Sequence, residues 1–135
     1  MSLLLVRHAS AGKQEEWGAA DAERPLDERG EAQAAHLPDV LSRFPIERIL
    51  SSPAKRCLDT VGPLAAARGL PVEPREELSP ERQDRDGHIL VRSLAGQNVI
   101  VCGHGGLETV IAGAPRWRKG TTFVVDDNLH VESIF

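Results

Sequence analysis

Two histidines in this chain stand where a buried strand would normally hand over to turn residues. Leu3-Leu4-Leu5-Val6 runs straight into Arg7-His8-Ala9, and Val99-Ile100-Val101-Cys102 runs into Gly103-His104-Gly105-Gly106. A third segment, Ser51-Ser52-Pro53, opens a helical pattern that carries Arg56 one turn in. Ligands of open α/β sheets bind beyond the carboxyl ends of the strands. Two guanidiniums and two imidazoles at such an edge suit a tetrahedral dianion. Arginine's planar fork clamps phosphoryl oxygens bidentately and stays charged. A neutral imidazole can attack phosphorus and divide one hard displacement into two easier ones. Surrounding positive charge keeps the attacking imidazole neutral by lowering its pKa, and it stabilises the charge on the equatorial oxygens in the transition state.

Positioning such groups requires an α/β alternation, and the pattern supplies one. The first strand is expected over Leu3 to Arg7. A polar loop then passes Gly12, Trp17 and Gly18 to Pro25, long enough to form a flap. Asp27 is the expected N-cap of a helix from Glu28 to about Arg43, with Ala32, Ala35 and Val40 on its inner side and Pro38 kinking, tightening or splitting it. Ile46 to Leu50 reads as a short strand. Ser-Ser-Pro, with Pro53 at the first helical position, opens a helix to Arg68 that Gly69 stops and Gly62-Pro63 bends. Leu70 to Val72, flanked by prolines, reads as an edge strand. Glu76 to Gly87 reads as polar loop, followed by a short helix to Leu94. Asn98 to Cys102 is the most strand-like stretch, and Gly106 to Ala112 reads as a short helix. Thr121 to Val125 and Leu129 to Ile134, separated by Asp126-Asp127-Asn128, predict a C-terminal antiparallel hairpin. The expected architecture is a three-layer α/β/α sandwich on a mostly parallel sheet, with residues 1–135 as one domain.

At 135 residues with 4% aromatics, the core must be aliphatic. The net charge of −4 is spread over 16 basic and 20 acidic side chains, with no polybasic block to favour nucleic acid or an anionic membrane. Cys57 and Cys102 stand far apart in unlike contexts, which argues against a disulfide framework and for a cytoplasmic setting. The apolar N-terminal run is too short for a signal peptide or a membrane span. Cys102, on an apolar strand, reads as a buried, inert thiol.

Four ordered motifs carry a family resemblance: Leu5-Val6-Arg7-His8-Ala9, Arg24-Pro25-Leu26-Asp27-Glu28-Arg29-Gly30, Ser51-Ser52-Pro53-Ala54-Lys55-Arg56-Cys57-Leu58-Asp59-Thr60 and Cys102-Gly103-His104-Gly105-Gly106. Together they resemble the histidine phosphatase (phosphoglycerate mutase-like) superfamily, and in particular its small bacterial phosphohistidine phosphatase-like branch. The resemblance implies His8 as the nucleophile that becomes phosphorylated, Arg7 and Arg56 as phosphate ligands, and His104 as a second histidine on the phosphoryl group. Gly105 is expected to bring backbone to the phosphate. The resemblance implies no metal and no cofactor. In larger members of the superfamily a carboxylate in the middle loop protonates the leaving group; Glu77 in Glu76-Glu77-Leu78-Ser79-Pro80 is the nearest match here and Glu76 its competitor, while the small branch often has no obvious acid at this place. Ala9 departs from the glycine common at that position.

The expected function is a metal-independent phosphatase working through phospho-His8 on a phosphohistidine protein or a small phosphomonoester. The alternatives are a nucleotide or sugar phosphatase of the same family, or a non-catalytic phosphate-binding module. A metallohydrolase using His8 and His104 is disfavoured, because two arginines repel a dication and neither histidine has a further ligand at metal spacing. Other residues invite milder readings. Ser52 reads as a helix cap, and Arg24 and Asp27 as fixing the loop and helix start, with Arg24 near the site rim. Arg116-Trp117-Arg118-Lys119 reads as a solvated turn with a competing substrate-gripping role. Trp17 is a candidate lid residue. Glu15, Glu16, Asp21 and Glu23 make the first loop acidic, which discourages highly anionic substrates. His36, His88 and His130 receive no chemistry. Oligomeric state is open, with monomer the default.

Overall fold

A computed structural model describes residues 2–135. Its six strands are β1 (Leu3–Arg7), β2 (Arg48–Ser51), β3 (Val72–Pro74), β4 (Val99–Gly103), β5 (Thr122–Val125) and β6 (Val131–Ile134). The helices are α1 (Glu28–Val40), α2 (Lys55–Arg68) and α3 (His88–Leu94). One sheet orders the strands β3-β2-β4-β1-β5-β6, parallel through its first four members and antiparallel at β5 and β6. The expected parallel sheet, edge strand and terminal hairpin are all present. β3 starts two residues later than expected, at Val72.

The central strands read as continuous apolar runs because both sheet faces are covered. Leu3 and Leu5 pack with Val91, Leu94 and Leu107 on the α3 side, while Leu4 and Val6 pack with Leu37, Leu41, Val61 and Leu64 on the α1–α2 side. These are the outer layers of an α/β/α sandwich. β4, last in sequence of the parallel strands, lies between β1 and β2. Its register pairs Arg7 with Gly103 and Ser51 with Cys102, so three strand ends finish side by side at one edge.

Several expected details are corrected. The inner face of α1 is Gly30, Ala34 and Leu37, whereas Ala32, Ala35 and Val40 face solvent. A long-range contact decides this rotation: a Cβ built on Gly30 would lie 1.8 Å from the Ser10 carbonyl oxygen, so only glycine allows this approach. Asp27 caps α1 as expected, its Oδ1 accepting from Gly30 N at 2.8 Å. The helix passes through Pro38 and ends at Val40, short of Arg43. In α2, Ala54 is the N-cap, so Pro53 precedes the helix rather than occupying its first turn, and Gly69 closes it at φ 64°. The expected helix over Gly106–Ala112 is a single 3-10 turn, Leu107–Val110. Two further 3-10 turns, Gln14–Glu16 and Gly18–Glu23, organise the first loop. Another, Glu76–Leu78, and a wide turn at Gln83–Gly87 organise the middle one.

Glycine-to-alanine changes inside helices ordinarily stabilise by about 1 kcal/mol. Gly30→Ala is expected to do the reverse, destabilising by about 1–3 kcal/mol as the methyl is forced into Ser10. Thermal unfolding reads this as a midpoint several degrees lower; an unchanged or raised midpoint would contradict the packing of α1 on the first loop.

Candidate active site

The cleft at the carboxyl edge has a volume of about 460 Å³ and is lined by Arg7, His8, Arg56, His104 and Gly105 from the strand ends and α2. Loop residues Lys13, Glu15, Asp21, Arg24, Pro80 and Lys119 complete its walls. The structure therefore gathers five of the six expected site residues. Glu77 does not line this cleft. Its carboxylate is held by Arg75 Nη2 at 2.6 Å, and that hydrogen bond keeps it below the usual carboxylate range. Glu76 lines an adjoining hollow shared with Asp21, Arg56 and Pro80.

His8 is 5% exposed, and its Nδ1 lies 2.8 Å from the carbonyl oxygen of Ala9. A carbonyl only accepts, so the ring proton sits on Nδ1 and the Nε2 lone pair is free. Burial is the largest influence on this ring and lowers its pKa; the Ala9 contact raises it, while His104, Arg56 and Arg7 lower it further, and the net value is about 3. The imidazole is thus neutral at any ordinary working pH. Ala9 N donates to Thr60 Oγ1 at 2.9 Å, and Thr60 in turn donates to Arg56 O at 2.6 Å, tying the His8 segment to α2.

His104 packs against His8 with ring centroids 5.4 Å apart. Arg56 Nη2 approaches its Nδ1 at 3.4 Å, which assigns the ring proton to Nε2, donated to Ser52 Oγ at 2.8 Å. Ser52 Oγ also accepts from Ala54 N at 3.2 Å, but Ala54 is itself the N-cap and no side chain caps α2, so Ser52 orients His104 rather than serving as the expected helix cap. Cys57 Sγ lies 3.6 Å from His104 Nε2, bringing a buried thiol against the second histidine. Gln83 clamps this loop from the other side, accepting from His104 N at 3.2 Å and donating to Gly105 O at 2.9 Å.

Arg7 Nη1 donates to Trp117 O at 2.7 Å. Gly105 makes room for this guanidinium, since a Cβ there would come within 2.9 Å of Arg7 Nη2. Arg56 donates through Nη1 to Asp21 O at 2.8 Å, and its Nη2 lies 3.2 Å from Asp21 Oδ2. Burial alone would raise the Asp21 carboxyl, but the hydrogen bond from Arg24 and the charges of Arg56 and Arg24 hold it below the usual range. Arg24 also donates to Ala11 O and Gly12 O at 2.7 and 2.9 Å, so it both fixes the first loop and lines the cleft. Asp21 thereby offsets two arginines, and the acidity of that loop is partly neutralised at the cleft. The Nε groups of Arg7 and Arg56 are buried without a protein acceptor, a cost of about 1–3 kcal/mol for each buried donor left unpaired. Trp17 is exposed and stands outside the cleft lining.

Asp21, Thr60, Gln83 and Cys57 were not assigned to the site from sequence. Cys57 and Thr60 do lie one and four residues after Arg56, on the helix that carries it. Gln83 and Asp21 carried no such signal. Among the described residues, no three His, Cys, Asp or Glu side chains gather as a metal-binding group, and no helix is long and apolar enough to cross a membrane.

Residues 3–83 match the histidine phosphatase superfamily (branch 1), and the chain belongs to that family. It is 31% identical, over 92% of its length, to an 8-oxo-(d)GTP phosphatase of Mycolicibacterium smegmatis, and spans 44% of that longer relative. Its fold is similar to that of SixA from Agrobacterium tumefaciens, with TM-score 0.84, 23% identity, and 99% and 96% of the two chains covered. It is also similar to the protein histidine phosphatase SixA complexed with tungstate, with TM-score 0.77, 22% identity, and 95% and 90% covered.

A histidine whose folded pKa lies below its unfolded value binds its proton mainly in the unfolded chain. Stability therefore falls as pH drops from about 6.5 toward about 3. Denaturant unfolding of wild type and His8→Asn at about pH 7 and about pH 4 is expected to show a smaller acid loss in the variant. Equal losses would mean that His8 is charged or solvated in the folded protein.

Proposed function

We propose that the protein is a metal-independent phosphatase that hydrolyses its substrate through a phosphoryl group carried on His8 Nε2. The observation that carries this reading is the state of His8: neutral, its Nδ1 engaged by Ala9, its Nε2 free among arginines. Arg7 and Arg56 clamp the phosphoryl oxygens, and the Gly105 backbone lies against them. His104, oriented by Ser52, contacts the same group and stabilises its developing charge. The bond from phosphorus to the leaving atom breaks as the Nε2–P bond forms. Water then attacks phosphorus and returns the electron pair to Nε2. Arg56 must exchange its contacts with Asp21 for phosphoryl oxygens, so the first loop adjusts as substrate enters.

The position of Glu77 bears on the substrate. A carboxylate held ionised by Arg75, outside the cleft lining, is poorly placed to protonate an alkoxide leaving group. The site suits leaving groups that depart without that acid, such as the imidazole of protein phosphohistidine or an activated small phosphoester. A nucleotide substrate is the second reading, favoured by the 8-oxo-(d)GTP phosphatase activity named for the 31% identical relative. In this proposal residues 1–135 form one phosphatase domain. The free thiols of Cys57 and Cys102 fit a reducing cytoplasm.

Hydrolysis of p-nitrophenyl phosphate with chelator present tests the assignment. His8→Ala is expected to abolish turnover, Arg56→Ala to lower kcat by roughly 10²–10³-fold, and Glu77→Gln to leave it within a few-fold. Turnover that survives His8→Ala would overturn the mechanism, and a large loss in Glu77→Gln would restore that residue as the acid. A wild type that binds phosphate without turnover would favour the binding-module reading.

A further inference from the structure

Beside the catalytic cleft lies a second cavity of about 400 Å³, and the two share Arg7 and Lys119. Its other walls are Arg29 and Gln33, one turn apart on α1, with Ser10, Arg116 and Arg118. Arg29, Arg116, Arg118 and Lys119 make no ion pair among the described residues. The nearby carboxylate of Asp27 accepts from Ser10 Oγ at 2.7 Å and Gly30 N at 2.8 Å, and the charges of Arg29 and Lys119 add to these bonds in holding it below the usual carboxylate range.

The cluster is built, not incidental to a loose turn. Trp117 is 2% exposed and serves as the anchor of its segment, while Arg116 and Arg118 on either side are turned out to solvent. The Trp117 carbonyl accepts from Arg7, and Gly120 N donates to Arg7 O and His8 O at 3.2 and 3.0 Å. The basic segment is thus clipped directly to the backbone that carries the nucleophile. Gly120 sits against Gln33, whose side chain a Cβ at that position would meet at 2.8 Å, and Gln33 Oε1 accepts from Ser10 N at 2.9 Å. Arg29, Arg116, Arg118 and Lys119 against the Asp27 carboxylate leave the hollow net positive, which favours the entry of an anion.

We propose that this second cavity is a subsite for a further phosphate, so that the substrates of the protein include a phosphoanhydride whose terminal phosphoryl group meets His8. The proposal rests on the phosphatase reading for its chemistry, while the cavity itself rests on geometry alone. For such a substrate the terminal anhydride P–O bond breaks as the His8 Nε2–P bond forms, and the electron pair leaves on the next phosphate. Water then attacks phosphorus and breaks the P–N bond, and its proton goes to the released phosphate. A phosphate leaving group departs without a carboxylic acid, in keeping with the position of Glu77 outside the cleft.

Binding of inorganic tripolyphosphate and of inorganic phosphate to His8→Ala, measured by calorimetry, tests the subsite without turnover. Tripolyphosphate is expected to bind at least roughly tenfold tighter than phosphate. Arg29→Gln with Arg118→Gln should abolish that advantage while leaving phosphate affinity within about twofold, and Arg92→Gln, on α3 away from both cavities, should preserve it. Equal affinity for the two anions, or an advantage that survives the double substitution, would overturn the subsite. On the wild type, the double substitution should lower kcat/KM for tripolyphosphate by roughly tenfold or more and spare p-nitrophenyl phosphate. Absence of both activities from the wild type, with the binding pattern intact, would sink the phosphatase reading and leave the subsite standing; turnover of the aryl phosphate without an anion preference would do the opposite.

Discussion

The parallel pairing of β1 with β4 is the constraint on which the cleft depends. With Arg7 opposite Gly103, the next residue along each chain is a histidine, and the two rings pack at a tilt of 59° with 5.4 Å between their centroids. A slip of one residue would turn Leu4 and Val6 toward the wrong layer and separate the two imidazoles at the same time. The buried alternation along β1 therefore specifies both the core and the site. β2 adds Ser52 by the same means, through the register of Ser51 with Cys102.

Around that pairing the protein gathers positive charge that its fold alone does not need. Arg7 is held by the backbone carbonyl of Trp117, and Arg56 by the carbonyl of Asp21 with the Asp21 carboxylate 3.2 Å away. Burial of Arg7 weakens its hold on its proton, Glu108 opposes this, and Arg116 adds to it. The same surroundings keep His8 neutral. In the proposed reaction, the stability lost in holding cations together and an imidazole dry would be recovered as affinity for a phosphoryl group, a trade expected at functional sites.

Much of the architecture was legible in the sequence because the strands are covered on both faces and so appear as unbroken apolar runs. The four residues that most define the cleft were legible as well, since Arg7, His8 and His104 interrupt those runs and Arg56 follows a helix start. The rotation of α1 was not legible. Apolar spacing pointed to Ala32, Ala35 and Val40, but the contact between Gly30 and Ser10 turns Ala34 and Leu37 inward instead. Asp21 and Gln83 were hidden for a related reason: each reaches the site from a loop whose path depends on tertiary contacts. Glu77 shows the converse. Its place in a motif resembles that of an acid, yet Arg75, two residues away, captures it.

The central claim is that phosphate is carried on Nε2 of His8, and direct trapping of the intermediate tests it. The protein is mixed with a small phosphoryl donor such as acetyl phosphate, quenched in alkali, and examined by peptide mass spectrometry and phosphorus NMR. The account predicts a single acid-labile, alkali-stable phosphoryl group on His8, at Nε2, because Nδ1 is occupied by the Ala9 carbonyl. Phosphate found on His104, on Cys57 or on a serine, or at Nδ1 of His8, would contradict it.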